Sequence, residues 1–372
     1  MKKTRKSPVR KPAPKRAPAR KPSSRKAAPK QPANATTAPK GGPPPITLGE
    51  LIARLGDPAV DPKTLIPYLE VREGDRHNGL APTLYPNPEV VRTDGPENAA
   101  ARARGDIGLG FLNGVYRTRR RILFEETRSK RPDAPILLAE GDSWFEYPVF
   151  LKDVVDCLID DHRYNVFCLS SAGAELKTML RTEEYASYLK HLVGEGLKVK
   201  AFLLSAGGND IVGPELAKLL VKFKANSKPA DLVQTGKLAA AVANIEKGYR
   251  EIFADVHKVV PKLPILVHGY DYGPALPDQG FQVPPLDGWL GKPMRDMGIN
   301  EGEVQQGIVK IIMDAMNEML RRLDQANAGV PDVHYVDNRN VVGKHWHDEL
   351  HPDDAGFGLV TKRFHAVIGK LP

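Results

Sequence analysis

The feature that most constrains the fold is a series of short apolar segments in the second part of the chain. There are five, at residues 135–140, 164–170, 198–208, 263–271 and 332–337. Helical patterns separate them, of which residues 236–260 and 303–325 are the longest. Apolar strands that alternate with helices indicate a parallel sheet that is covered on both faces. We therefore expect an α/β fold, a three-layer sandwich around a five-stranded parallel sheet.

The charge of the chain is unevenly distributed, which divides it into parts. Residues 1–40 contain 14 of the 54 Lys and Arg residues and no Asp or Glu, so the other 40 basic residues face 45 acidic ones. A segment of Lys, Arg, Pro and Ala cannot bury enough apolar surface to offset its chain entropy. We predict a disordered basic arm at residues 1–45, a mostly helical and loop extension at 46–130, and a globular α/β domain at 131–372.

The basic arm suggests a partner and a compartment. Its charge favours binding of a polyanion, either nucleic acid or an anionic surface, through residues 1–40; the alternative is a solubilising arm without a partner. It has no apolar region typical of a secretory signal, and no run of about 18 apolar residues predicts a transmembrane segment. The two cysteines, Cys157 and Cys168, form no disulfide framework or CxxC site. These features together predict a cytoplasmic protein.

The extension shows helical patterns but no recognisable chemistry. Thr47 stands before an apolar periodic segment, with Glu50 three residues later, which is typical of a helix N-cap. Residues 110–130 also predict a helix, with Phe111, Val115 and Ile122 near one face.

Small and polar residues follow the predicted strands. Four such segments are Gly141–Ser143, Ser170–Gly173, Gly207–Asp210 and, after the fifth strand, Asp348–His351. Right-handed crossovers place the carboxyl ends of parallel strands at one edge of the sheet, where ligands bind in open α/β sheets. We therefore expect these four segments to lie at the same edge.

The four segments resemble the sequence blocks of the SGNH (GDSL-type) hydrolases. Those blocks are a Gly-Asp-Ser, a Gly after the second strand, a Gly-x-Asn-Asp and an Asp-x-x-His near the C-terminus. Here they are Gly141–Ser143, Gly173, Gly207–Asp210 and Asp348–His351. The resemblance covers residues 131–372 and implies a flavodoxin-like sheet. Trp144 stands where a Leu usually follows the Ser, which leaves subfamily and substrate open.

The resemblance implies a role for each of five residues. Ser143 would be the nucleophile, since a serine hydroxyl needs a base to take its proton, and His351 would be that base. Asp348 would orient the imidazole and stabilise its protonated form. The backbone N–H groups of Ser143 and Gly173 and the side-chain amide of Asn209 would form the oxyanion hole. Another pair of carboxylates, Asp142 and Asp210, is expected to hold nearby backbone amides.

The implied activity is hydrolysis of a carboxylic ester through an acyl-enzyme, as in esterases, lipases and deacetylases. It needs no metal or organic cofactor, and the substrate would be a small-molecule, lipid or sugar ester. The alternative is a polyanion- or nucleic-acid-binding scaffold with an inactive hydrolase-like body. A second alternative is a zinc site, because His345, His347 and His351 form an H-x-H-x₃-H set of possible ligands.

A long segment rich in Pro and Gly, residues 269–298, follows the fourth predicted strand. Long irregular segments in compact domains are usually functional or disordered. We expect this one to form a wall or lid over the site. Its aromatic residues Tyr270, Tyr272 and Trp289 are candidate substrate contacts, although packing of the segment onto the body would explain them equally well. Trp144, beside Ser143, is a fourth candidate contact, which core or lid packing would also explain.

Overall fold

The structure is a computed structural model that describes residues 42–70, 85–93, 109–147, 149–275, 288–325 and 327–372. The predicted basic arm up to residue 41 and residues 276–287 of the Pro-rich segment lie outside the described residues. Disorder and polyanion binding of the arm therefore stay predictions. Residues 43–372 belong to one compact unit.

The first part of the described chain packs against one long helix. Its elements are β1 (Ile46–Thr47), α1 (Leu48–Gly56), a 3₁₀ helix (Pro62–Tyr68), β2 (Leu69–Glu70), β3 (Tyr85–Pro86), β4 (Val91–Arg92) and α2 (Leu109–Lys130). β1 pairs with β4, and β2 pairs with β3. The predicted N-cap is confirmed, since Thr47 Oγ1 accepts the Glu50 N–H at 3.1 Å. Leu51 of α1 packs with Leu112 and Tyr116 of α2 in a hydrophobic cluster separate from the main core.

The centre of the molecule is a parallel sheet of five strands. They are β5 (Ile136–Gly141), β6 (Asn165–Cys168), β7 (Val199–Ser205), β8 (Ile265–His268) and β9 (Val333–Val336). The order β6-β5-β7-β8-β9 is the flavodoxin-like one. Nearly every strand side chain is buried, which requires cover on both faces. The predicted α/β fold class is thereby confirmed.

Helices cover both faces of the sheet. They are α3 (Val154–Asp160), α4 (Leu176–Thr182), α5 (Glu184–Gly194), α6 (Pro214–Leu219), α7 (Pro229–Leu232), α8 (Thr235–Val259), α9 (Gly291–Asp296), α10 (Gly302–Leu323) and α11 (Asp354–Ile368). α8 packs between α5 and α10, while α11 packs against α3. Within the described ranges, no helix is both long enough and apolar enough to cross a membrane.

The buried face of α2 differs from the predicted one. Ile122 is 42% exposed and Val115 is only partly buried, whereas the side chain of Phe111 lies outside the description. The buried residues of this face are Leu112, Tyr116, Arg120 and Phe124. The prediction was wrong because an arginine occupies one buried position, and apolar periodicity alone does not count it.

Arg120 is buried among three carboxylates. Its Nε donates to Glu146 Oε2 and its Nη2 to Asp153 Oδ2, both at 2.8 Å, and its Nη1 donates to Asp156 Oδ1. Burial alone would lower the pKa of Arg120, but the carboxylates outweigh it and hold that pKa well above its ordinary value. The cluster ties α2 to the segment that follows the Gly141–Ser143 turn and to the start of α3.

Replacing Arg120 by Leu should lower the free energy of unfolding by about 3–5 kcal/mol, because Glu146 and Asp153 would stay buried without a counter-charge. Arg128→Leu on the same helix is the matched control; it removes an exposed pair with Glu125 and should cost no more than about 1 kcal/mol. Urea unfolding at neutral pH measures both. Equal losses in the two variants would contradict the assigned role of Arg120.

Candidate active site

Three predicted site residues from distant parts of the chain meet at the carboxyl edge of the sheet. Ser143 follows β5, and Asp348 and His351 lie in the loop between β9 and α11. Ser143 Oγ lies 2.7 Å from His351 Nε2, and His351 Nδ1 lies 2.8 Å from both carboxylate oxygens of Asp348. All three side chains are at least nine-tenths buried. The arrangement is a continuous chain of hydrogen bonds from hydroxyl to carboxylate.

The Asp348 carboxylate is held by the backbone of its own loop. Its Oδ1 accepts the N–H groups of Leu350 at 2.8 Å and His351 at 2.7 Å. Burial would raise the pKa of Asp348, but the charge and hydrogen bond of His351 and the Leu350 N–H outweigh it and lower that pKa. The carboxylate is therefore charged at neutral pH and can hold the imidazole in one orientation.

Two aromatic rings enclose His351. Tyr147 meets it edge to face at a centroid distance of 4.6 Å, and Trp289 does so at 5.7 Å. The Tyr147 hydroxyl lies beside Asp348; burial first, and then that charge, raise the pKa of Tyr147 well above 10. The indole N–H of Trp289 is buried and has no partner among the described residues. Both rings restrict the movement of the imidazole.

The other three predicted aromatic contacts occupy different places. Trp144 is buried, and its indole N–H donates to the Leu350 carbonyl at 3.0 Å, one residue before the candidate base. Trp144 and Tyr270 both line the cleft that contains Ser143. Tyr272 is not among the described residues that line this cleft, and its hydroxyl donates to Asp314 at 2.6 Å.

The predicted oxyanion donors lie on three loops, which follow β5, β6 and β7. Asn209 lines the cleft, and its Nδ2 donates to the carbonyl of Ala174 at 2.8 Å. Gly173 has φ +74°, a conformation that favours glycine. Within the described ranges, the backbone N–H groups of Ser143 and Gly173 make no hydrogen bond. Each is therefore available to an acceptor from outside the protein.

A buried polar network lies beneath the Ser143 turn. Asp142 accepts hydrogen bonds from the Ser205 hydroxyl at 2.7 Å, the Trp144 N–H at 3.0 Å and the Tyr270 hydroxyl. The Ser205 Oγ lies 2.7 Å from His268 Nε2. Burial raises the pKa of Asp142 and lowers the pKa of His268 to about 4. The sequence analysis missed Ser205 and His268; the signal was a histidine at the end of an otherwise apolar strand.

The two aspartates predicted to be structural do hold backbone amides. Asp142 accepts the Trp144 N–H, and Asp210 Oδ2 accepts the Leu176 N–H at 3.1 Å, at the start of α4. Burial raises the pKa of Asp210. These contacts orient the loops that carry Ser143 and Asn209.

The cleft above Ser143 is open and largely apolar. Its empty volume is about 440 Å³, open solvent included, and its apolar lining includes Val212, Leu290, Val309, Met313 and Trp346. One wall is tied to the His351 loop, because the Glu349 carboxylate accepts the N–H groups of Leu290 at 2.8 Å and Gly291 at 2.9 Å. These two hydrogen bonds join the loop to the wall.

The three histidines of the proposed zinc set do not form a metal site. Both ring nitrogens of His351 are engaged by Ser143 and Asp348, and His345 Nδ1 lies 3.4 Å from Asp353. Over the parts of the chain that the structure describes, no three His, Cys, Asp or Glu side chains are grouped so that they could hold a metal ion.

Solved structures with a similar fold include three lipolytic proteins. One, from Bacteroides ovatus, is described as a GDSL-like lipase: 15% identity, 65% of this chain, TM-score 0.38. The second is an extracellular lipase from Streptomyces rimosus, with 14% identity over 63% of this chain and a TM-score of 0.41. The third is a phospholipase A1 from Streptomyces albidoflavus NA297, with 16% identity over 63% of this chain and a TM-score of 0.40. The match spans 55% of the first protein and 99% of each Streptomyces enzyme. The likeness is one of fold alone. No protein-family model matches the chain, and no curated protein does.

His268 should make the protein less stable in acid. Its pKa is about 4 when folded, against about 6.5 for an unfolded histidine, so the unfolded chain binds more protons between these values. The free energy of unfolding should fall as the pH falls from 6.5 to 4, by about 3 kcal/mol from this residue.

The difference between wild type and His268→Gln, measured by urea unfolding at pH 7 and pH 4.5, isolates this contribution. The subtraction is needed because burial raises the pKa of Glu140 to about 8, and that carboxyl stabilises the fold as the pH falls. If the free energy of unfolding changes equally with pH in both proteins, folding does not lower the pKa of His268.

Proposed function

We propose that this chain is a serine ester hydrolase with Ser143 as its nucleophile. The observation that carries the proposal is the hydrogen-bonded series Ser143–His351–Asp348, whose first two members are 208 positions apart. The 2.7 Å between Oγ and Nε2 is within reach for general-base catalysis. Asp348 supplies the negative charge that an imidazolium needs.

The proposed reaction has two halves. His351 takes the proton of Ser143 Oγ as that oxygen attacks the carbonyl carbon of the ester. The tetrahedral intermediate collapses, His351 gives the proton to the leaving alcohol, and an acyl-enzyme remains. A water molecule then loses a proton to His351 and attacks the acyl carbon. The second tetrahedral intermediate collapses to the acid while His351 returns the proton to Ser143 Oγ, which restores the enzyme.

The negative charge of each tetrahedral intermediate needs donors that are already in place. We assign this role to the N–H groups of Ser143 and Gly173 and to the amide of Asn209. Two facts support the assignment: both N–H groups lack partners within the described residues, and Asn209 lines the cleft beside Ser143.

The substrate is a carboxylic ester of a small molecule, lipid or sugar, with its acyl group on the apolar wall of the cleft. Trp144 and Tyr270 are assigned to contact it because they line the cleft. Trp289 is assigned because its ring lies against His351 and its N–H has no partner among the described residues. Tyr272 is not among the described residues that line the cleft, so it would contact only a substrate that extends beyond the cleft.

Ser143→Ala should lower kcat/KM for p-nitrophenyl esters by at least about 10³-fold, since the nucleophile is lost. Asp348→Asn should lower it by about 10⁴-fold, since the imidazole loses its orientation and counter-charge. A fluorophosphonate probe should label the wild type but not Ser143→Ala. The measurements are initial rates on acetyl to palmitoyl esters and mass spectrometry of the labelled peptide.

Two control variants distinguish a serine ester hydrolase from a binding scaffold with an inactive hydrolase-like body. Ser187→Ala alters an exposed serine on α5 and should keep the wild-type rate. Deletion of residues 1–40 should also keep it, because those residues contribute nothing to the proposed chemistry. Wild-type turnover by Ser143→Ala would refute the enzyme assignment.

Met313→Ala should shift the preference of the enzyme toward longer acyl chains. Met313 lines the cleft from α10, and its truncation enlarges the apolar wall. The ratio of kcat/KM for a longer ester to that for the acetyl ester should rise by about tenfold, the scale of one methylene in an apolar pocket. Met319→Ala, buried on the same helix outside the cleft lining, should lower stability and leave the ratio unchanged.

A further inference from the structure

The long helix of the extension contacts the loop that carries Gly173. Asn113 Oδ1 accepts the N–H of Ala172 at 3.2 Å, and Asn113 Nδ2 donates to the carbonyl of Ala172 at 3.1 Å. One turn further along α2, Arg117 Nε donates to Ser171 Oγ at 3.1 Å. Residues four apart share a helix face, so one face of α2 forms hydrogen bonds with two consecutive loop residues, Ser171 and Ala172.

The contacted loop is a tight turn with a glycine at its third position. The N–H of Ala174 donates to the carbonyl of Ser171 at 3.0 Å, φ of Gly173 is +74°, and Ala172 is not among the residues of positive φ. This pattern is that of a type II turn. In a type I turn the central peptide, between Ala172 and Gly173, is rotated by roughly half a turn.

That central peptide contains both the Ala172 carbonyl and the Gly173 N–H. A trans peptide is planar, so the two groups point in opposite directions and rotate together. Glycine accepts φ of either sign, so Gly173 itself does not decide between the two turns. The hydrogen bond from Asn113 to the Ala172 carbonyl favours one rotation of the peptide, and with it one direction of the Gly173 N–H.

The loop is held on its other sides as well. Asn209 Nδ2 donates to the Ala174 carbonyl at 2.8 Å, and the Ser171 N–H donates to the Gly141 carbonyl at 2.9 Å. These bonds place the two ends of the turn relative to the Ser143 turn and the cleft. The central peptide, however, is held by Asn113 alone among the side chains that the structure describes.

We infer that Asn113 is a positioning residue: it holds the Ala172–Gly173 peptide so that the Gly173 N–H is ready to donate to the oxyanion. This inference rests on the proposed function and extends it to the segment before residue 131. The extension would then complete the oxyanion hole. A chain that begins at residue 131 would retain Ser143, Asp348 and His351 but lose this contact.

Asn113→Ala in the full chain tests the inference, with Asn87→Ala as the matched control. Asn87 lies in the same extension and also bonds two backbone groups, the Pro67 carbonyl at 3.1 Å and the Glu89 N–H at 3.0 Å. Four quantities are measured: hydrogen exchange of the amides at residues 171–175, kcat and KM on a p-nitrophenyl ester, and the affinity for a boronic acid.

Asn113→Ala should speed exchange of the Ala172 and Ala174 amides by at least about tenfold, because their shared turn loses its outer contact. It should lower kcat by about 10- to 100-fold with KM within about twofold. Complete loss of one oxyanion donor lowers kcat by about 10²–10³-fold, which is the upper limit for this variant. A boronic acid that forms a tetrahedral adduct with Ser143 should lose affinity in parallel with kcat. Asn87→Ala should match the wild type in all four measurements.

The outcomes separate this inference from the proposed function. If hydrogen exchange at Ala172 and Ala174 is unchanged in Asn113→Ala, Asn113 does not hold the Ala172–Gly173 peptide, whatever the kinetics. Faster exchange with unchanged kcat, in a wild type that needs Ser143 for turnover, overturns only the positioning role. A higher KM with unchanged kcat would assign Asn113 to substrate binding and would also overturn the positioning role. A wild type without turnover or labelling at Ser143 overturns the proposed function, and the inference with it.

Discussion

The Asp142 carboxylate is the interaction on which the rest of the site depends. It accepts hydrogen bonds from groups that follow β5, end β7 and follow β8, so one buried carboxyl group joins the ends of three strands. A buried carboxylate is costly unless its oxygens are satisfied, and several donors here satisfy them. Because Asp142 is the residue before Ser143, the network also sets where the hydroxyl lies.

The remaining site residues are held by contacts between loops rather than within them. The Trp144 indole holds the carbonyl next to His351, and Glu349 holds the start of α9. Each of these side chains donates to or accepts from a backbone group of a different segment. Such cross-loop bonds let irregular segments keep a defined geometry without regular secondary structure.

The sheet, and the edge at which Ser143, Asn209 and His351 lie, could be predicted from the sequence. Strand type, crossover handedness and the small polar residues after each strand are local patterns, and they sufficed for that prediction. For α2, the sequence pattern indicated no chemistry and the wrong buried face. Arg120 and Asn113 look there like ordinary exposed polar residues, because their partners lie 26 to 59 positions away.

The sequence by itself determined the fold class and the strand ends, because these depend on local periodicity and residue type. Its resemblance to a hydrolase family pointed to Ser143, Asp348 and His351, whose roles stay predictions. Only the tertiary structure decided which buried side chains support them. Ser205, His268 and Tyr270 surround Asp142, and Asn113 reaches the Gly173 turn, through contacts between residues far apart in the chain. Hydrogen bonds of this kind depend on distances of a few tenths of an ångström, which packing sets and residue order does not encode locally.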